Sequence, residues 1–427
     1  MRILLTSNAS YAPPRGGATR SNLVWLDRLA RAGHKCRIVC GAEWNTPPSV
    51  VSGPTSEDQP FGAGPRGHPV SQPPAAGVAT FAVREPARRV HLLRLQIREF
   101  QPDWVLVSSE DLGHALLREA HHSAPGRVVY LAHTPQFFPF GPASWNPQRP
   151  AAEMVAQSAG IVAIGRHMAG YIERAVERPV AVIHPPIYGP GPFADYASFE
   201  RGLVTMINPC AVKGLSIFVN VVGRLPSLEF GVVPGWGTTS GDRRALQRLP
   251  NVRFLPNARN IDEVLAQTRL LLMPSLWYEG FGLIVMESML RGIPVVASDS
   301  GGLVEAKGGT GYVIPVHTIE RYQPVFDEHG MPLPVVAENP VGPWLEALDE
   351  LLGDRRAYQR ESAASRQAAE RFVAGLDAGR MEAYLGALRP APNETSRAPA
   401  ERTTIESLSP EKRALLLERA RKRRAAR

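Results

Sequence analysis

Leu270-Leu271-Leu272-Met273-Pro274-Ser275-Leu276-Trp277-Tyr278-Glu279-Gly280-Phe281-Gly282-Leu283-Ile284-Val285-Met286-Glu287-Ser288-Met289-Leu290-Arg291-Gly292-Ile293-Pro294-Val295-Val296-Ala297 sets the reading of the whole chain. A four-residue apolar run, Leu270 to Met273, is too short for a helix and is followed by a glycine-bearing turn. A helical stretch, Leu283 to Arg291, comes next, and a second short run closes the segment at Pro294 to Ala297. Strand, helix, strand in that order is one unit of a parallel α/β sheet.

Outward from this unit the same rhythm fills the chain. Short runs at 2–6, 36–40, 78–83, 104–108, 128–132, 160–164 and 180–184 read as strands of a first sheet, with helices at 22–31 and 90–100. Runs at 203–207, 228–233, 252–255, 270–273, 294–297 and 312–315 read as a second sheet, with helices at 215–222, 261–268 and 283–291. Between the two lies Tyr188-Gly189-Pro190-Gly191-Pro192, a Pro/Gly-dense stretch of the kind that joins domains. The expected organisation is a first Rossmann-like domain over 1–190, a second over 191–388 that includes closing helices from 343 onward, and a C-terminal extension over 389–427. Positions 45–76 hold eight Pro and four Gly, so a mobile surface loop is expected there. In the extension, Ser409-Pro410-Glu411 makes a good start for a last helix.

Composition narrows the classes. With 427 residues, 44% hydrophobic and 21% charged, the chain has material for two full cores, and no apolar run approaches the roughly 18 residues of a membrane span. Met1 to Asn8 reads as a first strand and is too short in apolar residues for a signal peptide. Cys36, Cys40 and Cys210 match neither a disulfide framework nor a zinc pattern. A soluble protein of the reducing cytoplasm is expected. The net charge of +8 is uneven: residues 411–427 carry eight Lys or Arg against two Glu. The rest lacks the broad basic surface that nucleic-acid binding needs, and that function class is set aside.

The chemistry-bearing residues concentrate in the opening segment. On a helix beginning near Gly282, Glu287 shares a face with Leu283 and Leu290, with Met286 beside it. A carboxylate among apolar neighbours needs a hydrogen-bonding partner, and sugar hydroxyls are suitable ones. Gly280 and Gly282 permit close backbone approach, and the free amides at Phe281, Gly282 and Leu283 form an anion site suited to phosphate. Glu279 to Glu287 then resembles the E-x7-E motif of the GT-B glycosyltransferases, in particular the retaining family 4. Pro274-Ser275 before it, and Gly292 to Gly302 with Glu305 after it, are similar to the same family's donor domain. The resemblance spans roughly 1–385 and is strongest over 250–316. It implies two Rossmann-like domains facing across a cleft, with a nucleotide sugar in the second and an acceptor in the first. It further implies that Glu279 binds hydroxyls of the transferred sugar near the reacting carbon and that Glu287 holds the ribose diol.

Three more clusters fit that frame. Gly16-Gly17 opens the first helix; the dinucleotide fingerprint G-x-G-x-x-G is not satisfied, which tells against a dehydrogenase. The resemblance implies that this Gly pair reaches across to the donor phosphates. Lys213, in Asn208-Pro209-Cys210-Ala211-Val212-Lys213-Gly214, is the expected phosphate cation. Many family members carry an Arg five positions earlier, where this chain has Asn208. One fixed charge is therefore missing, so either Arg15, Arg20 or Arg291 compensates or turnover is slow. His133 follows the run Val128 to Ala132, at a strand end where open α/β sheets bind ligands, and it resembles the family histidine near donor sugar and acceptor. Phe137, Phe138, Phe140 and Trp145 after it form either an apolar acceptor wall or interdomain core.

No Asp-x-Asp pair stands at a strand end and no His/Cys cluster has metal spacing; metal-independent transfer without a resident cofactor is expected. The resemblance implies retention of anomeric configuration by front-face attack, with the leaving phosphate taking the acceptor proton. The segment Leu408 to Arg419 resembles short helices found in nonribosomal peptide and polyketide assembly lines. Through it the expected acceptor is a small-molecule or carrier-bound peptide or polyketide product, and the basic helix invites an assembly-line protein or another acidic partner. Two other readings stand beside this one: a membrane-associated glycosyltransferase of lipids or the cell envelope, and a catalytically weak nucleotide-sugar binding module.

Overall fold

The computed structural model describes residues 1–11, 14, 16–42, 78–258 and 260–389. The expected loop at 45–76, Arg15, and the linker and basic helix from residue 390 onward lie outside the described residues.

The first sheet has seven parallel strands, β1 (Arg2–Ser10), β2 (Lys35–Gly41), β3 (Val78–Val83), β4 (Trp104–Ser108), β5 (Val128–Ala132), β6 (Gly160–Ala163) and β7 (Ala181–Val182), in the order β3-β2-β1-β4-β5-β6-β7. Its helices are α1 (Gly16–Arg31), α2 (Pro86–Phe100), α3 (Ala115–Ser123), α4 (Arg149–Gln157) and α5 (Arg166–Val176). The second sheet has six parallel strands, β8 (Leu203–Ile207), β9 (Phe230–Val233), β10 (Val252–Phe254), β11 (Thr268–Met273), β12 (Val295–Ser298) and β13 (Val313–Ile314), in the order β10-β9-β8-β11-β12-β13. Its helices are α6 (Leu215–Arg224), α7 (Ser240–Gln247), α8 (Asp262–Leu265), α9 (Leu283–Leu290) and α10 (Leu303–Lys307). Two doubly wound, Rossmann-like lobes result. Central strands such as β4 and β5 are buried along their whole length, because helices cover both faces of a parallel sheet.

An antiparallel hairpin, β14 (Tyr322–Phe326) and β15 (Pro332–Pro334), follows β13; Pro324, Pro332 and Pro334 mask it in the sequence. Three helices close the described part of the chain: α11 (Gly342–Gly353), α12 (Arg355–Ala374) and α13 (Arg380–Ala387). Phe372 of α12 stacks on Phe281, with ring centroids 5.3 Å apart. The fully buried Lys307 of α10 donates to Glu361 of α12 at 3.0 Å and to the Val295 carbonyl at 2.7 Å. The chain then returns to the first lobe. Arg380 donates to the Val182 carbonyl, Glu382 meets His34 at 2.9 Å, and Met381 and Leu385 join an apolar cluster that includes Ile3, Leu26 and Val162. No helix among the described residues is long and apolar enough to cross a membrane.

In both sheets the strand order reverses direction beside the first strand, between β1 and β4 and between β8 and β11. Ligands of open α/β sheets bind at such switch points, outside the carboxyl ends of the strands. The loops that follow β1, β4, β8 and β11 are therefore where site residues are to be sought.

Candidate functional site

At the second switch point, the turn after β8 brings Lys213 against the loop after β11. Its ammonium donates to Glu279, which also accepts from the Ser275 hydroxyl, and it lies 4.5 Å over the Trp277 ring. The Lys213 and Glu279 side chains are each 11% exposed. Both contacts fall on one oxygen, Oε1, so the carboxylate is held in orientation and its second oxygen is left for a ligand.

Helix α9 starts one turn later from Gly282, whose φ is 108°, and no side chain caps its N-terminus. Its first amides have no intrahelical partner and point their dipoles outward, which makes an anion site. Glu287, one turn in, is buried as its apolar neighbours require. Its partner is Arg20 of α1, whose guanidinium donates to it at 2.6 Å from the opposite lobe. Beside this pair the Tyr188 hydroxyl is buried with no hydrogen-bond partner among the described residues. Burial and then the Glu287 charge push the Tyr188 phenol well above its ordinary pKa.

The lobes touch at two glycines. A Cβ on Gly17 would come within 2.9 Å of Leu283, and one on Gly280 would collide with the His133 carbonyl oxygen. At Gly280, which meets backbone, only glycine admits the approach; at Gly17 the contact is with the end of the Leu283 side chain. Gly16, Gly17 and Arg20 stay exposed, and Gly282, Leu283 and Ile284 are partly so, so solvent reaches a strip between α1 and the start of α9 that leads down to Glu287. Glu305 of α10 accepts from the His167 amide at 3.1 Å and lies 3.4 Å from both Arg166 and His184, a further link between lobes.

At the first switch point a chain of uncharged side chains leads to one carboxylate, Glu110, which accepts from Ser108. His133 is buried; its Nε2 lies 2.9 Å from Asn22 Oδ1, and the Asn22 amide donates to Tyr11 and Ser108 at 2.7 and 2.9 Å. With Asn22 Nδ2 so committed, Oδ1 accepts from His133, which places the proton on Nε2 and a bare lone pair on Nδ1. Nδ1 has no partner among the described residues. Burial lowers the His133 pKa, so the ring is neutral near pH 7 and is an acceptor for a hydroxyl.

Of the sequence-predicted residues, Glu279, Lys213, Gly282, Leu283 and Glu287 gather around the second switch point and the start of α9, and Gly16, Gly17 and His133 face them from the first lobe. Phe281 takes part through its backbone, because its ring is buried against Phe372 and His184. Phe138 and Phe140 belong to the first lobe's core, packed with Tyr130 and Tyr171. Trp145 reaches the second lobe, 6.4 Å from Trp277 and 5.4 Å from Tyr322. Asn208 packs against the loop after β9: at φ 57° its Oδ1 accepts from the Gly237 amide at 2.9 Å. Arg291 is committed to Asp262 and to the Glu287 carbonyl. Sequence reasoning missed Ser275 as a holder of Glu279, Tyr188, the exposed Trp236 that packs on Trp277 at 5.4 Å, and Glu110, which accepts from Ser108. The acidic pair Glu110-Asp111 just after a strand was the available signal for the last of these. No group of three or more His, Cys, Asp or Glu with metal-holding geometry occurs among the described residues.

Two family models match the chain. The one described as Glycosyltransferase Family 4 covers residues 15–188, and the one described as Glycosyl transferases group 1 covers residues 202–323; together they take in more than half of the sequence. No curated protein matches. Among solved structures, Anabaena HepE in complex with UDP and glucose is similar with a TM-score of 0.62 at 16% identity, over 91% of this chain and 100% of that one. Sucrose-phosphate synthase from Thermosynechococcus elongatus gives 0.65 at 14% identity, over 91% and 99%. WaaG, a glycosyltransferase involved in lipopolysaccharide biosynthesis, gives 0.57 at 14% identity, over 92% and 100%. The structural likeness fixes the GT-B architecture, and with one glycosyltransferase model on each lobe the chain is a glycosyltransferase of the family 4 type.

Proposed function

We propose that the protein moves a sugar from a nucleotide-diphosphate donor to a small-molecule acceptor with retention of anomeric configuration. The observation that carries this reading is the placement of two buried carboxylates, Glu279 and Glu287, before and within a helix whose N-terminus is uncapped and solvent-reachable. In this reading the diphosphate lies on the amides of Phe281, Gly282 and Leu283, with Lys213 beside it and Gly16-Gly17 closing from the first lobe. Glu287 accepts from the ribose hydroxyls, and Glu279, steadied by Ser275 and Lys213, accepts from hydroxyls of the sugar. The His133 lone pair receives a further sugar hydroxyl. The departing diphosphate takes the acceptor proton on the same face, and Lys213 with the helix dipole stabilises the charge that develops. The scheme invokes no metal ion, and it predicts that EDTA leaves turnover unchanged.

The resemblance of Leu408 to Arg419 to assembly-line helices supports a peptide or polyketide product, free or carrier-bound, as the acceptor. A second reading, a nucleotide-sugar binding module with little turnover, draws on Asn208, which folds into the β9–α7 loop and offers no charge to the diphosphate. One experiment separates the two. A thermal-shift screen of nucleoside diphosphates and their sugars identifies the donor by the rise in melting temperature, and hydrolysis of that donor is then compared in the wild type and Glu279→Gln. Faster hydrolysis by the wild type supports transfer, whereas equal rates support the binding module.

A further inference from the structure

Arg20 lies on the acceptor-side lobe, yet its guanidinium sits on the donor-side Glu287 through one nitrogen at 2.6 Å, and its side chain is 44% exposed while that of Glu287 is 6% exposed. Of the other candidate cations in the described structure, none is similarly placed. Lys213 is engaged by Glu279 and Arg291 by Asp262, while Asn208 is an uncharged amide whose Oδ1 accepts from Gly237. Arg20 follows Gly17 by three residues on α1 and therefore shares its face, and Gly17 abuts Leu283 at the mouth of the anion site. Glu287 stands four residues beyond Leu283, about 6 Å along the helix axis, a distance that an arginine covers by changing rotamer.

We propose that Arg20 is the second cation of the departing diphosphate: ribose hydroxyls replace it on Glu287, and the released guanidinium turns back one helical turn onto the phosphates at the start of α9. Its planar fork suits two phosphate oxygens, and the charge it brings stands in for the one missing at Asn208. Glu287 then has two states, paired with arginine when the site is empty and with ribose when the donor is present. This rests on the donor placement proposed above.

The test uses the full chain and, from UDP, GDP, ADP and dTDP, the diphosphate that raises the melting temperature most, together with its nucleoside. Titration calorimetry of Arg20→Ala is expected to show nucleoside affinity equal to or above that of wild type, because Glu287 has lost its competitor. Diphosphate affinity is expected to fall at least about tenfold, and turnover about 100-fold, the usual effect of losing one charge-stabilising donor. Added guanidinium ion should restore part of that turnover in Arg20→Ala and none in Glu279→Gln. Equal losses of nucleoside and diphosphate affinity would show that Arg20 only holds Glu287 in place, and unchanged affinities with unchanged turnover would show it idle; either result overturns the inference. A wild type that binds none of the four diphosphates would instead overturn the donor placement itself, and this inference with it.

Discussion

At the switch point of the first sheet, Asn22, His133, Ser108 and Tyr11 are joined by hydrogen bonds between uncharged groups that end on the Glu110 carboxylate, with no cation among them, whereas at that of the second Lys213 and Glu279 are joined as an ion pair, with Arg20 on Glu287 close by. The strand order around the two points is the same. What differs is the charge that each crevice is built to meet. A diphosphate demands fixed cations and helix amides. A hydroxylated acceptor and the transferred sugar demand oriented neutral acceptors, which do not hold the leaving group back. In the function proposed above, one backbone plan would serve both substrates, with the division of labour set by a handful of side chains at strand ends.

The comparison can be broken from either side. Glu279→Gln should have the largest effect, lowering turnover about 1,000-fold, equivalent to about 4 kcal/mol of transition-state stabilisation. It should also lower the melting temperature, because Lys213 stays buried without its counter-ion; donor hydrolysis rates and thermal denaturation check the two parts. His133→Ala comes next, with a fall of about 100-fold in turnover against little change in donor affinity, since the ring acts on the sugar and not on the nucleotide. Turnover equal to wild type would reduce His133 to scaffold.

Glu287→Ala is expected to act on binding and not on chemistry, weakening nucleoside affinity about tenfold while turnover at saturation stays within a few-fold, because a ribose contact is made equally in ground and transition states. Its diphosphate affinity should fall less than its nucleoside affinity, since Arg20 is freed at the same time. Calorimetry with both ligands checks this order. The smallest effect is on stability. Burial lowers the His133 pKa and pushes that of His121 down to about 4. Both rings stay neutral in the fold while the unfolded chain gains protons below about pH 6.5, so stability declines as pH falls from there toward 4. His121→Gln should flatten that decline in melting temperature, and an unchanged slope would remove His121 from the explanation.

The central strands were legible because helices cover both faces of the sheets there, so that a strand such as Val128 to Ala132 is a short unbroken apolar run. Helices α4 and α7 were not anticipated, since they bury only Ala151 and Val155 in one and Leu246 in the other, too few for a periodic stripe. The two carboxylates of the second lobe could be read because their spacing on a loop and the following helix is local. Arg20 and Glu287 stand 267 positions apart, and no spacing rule joins them; only folding shows that the partner of the buried carboxylate is an arginine of the other lobe. Asn208 was legible as a departure from the family pattern, but its inward turn onto the Gly237 amide was not, because that turn depends on a φ of 57° which asparagine tolerates better than most residues.

If Glu287 grips the nucleoside and Glu279 the sugar, titration calorimetry of nucleoside, nucleoside diphosphate and nucleotide sugar against the wild type, Glu279→Gln and Glu287→Ala separates the two contributions. The account predicts that Glu287→Ala loses nucleoside affinity but keeps the gain in affinity that the sugar adds, while Glu279→Gln keeps nucleoside affinity and loses that gain. Two variants that bind all three ligands as the wild type does, or that lose the same contribution, would contradict it.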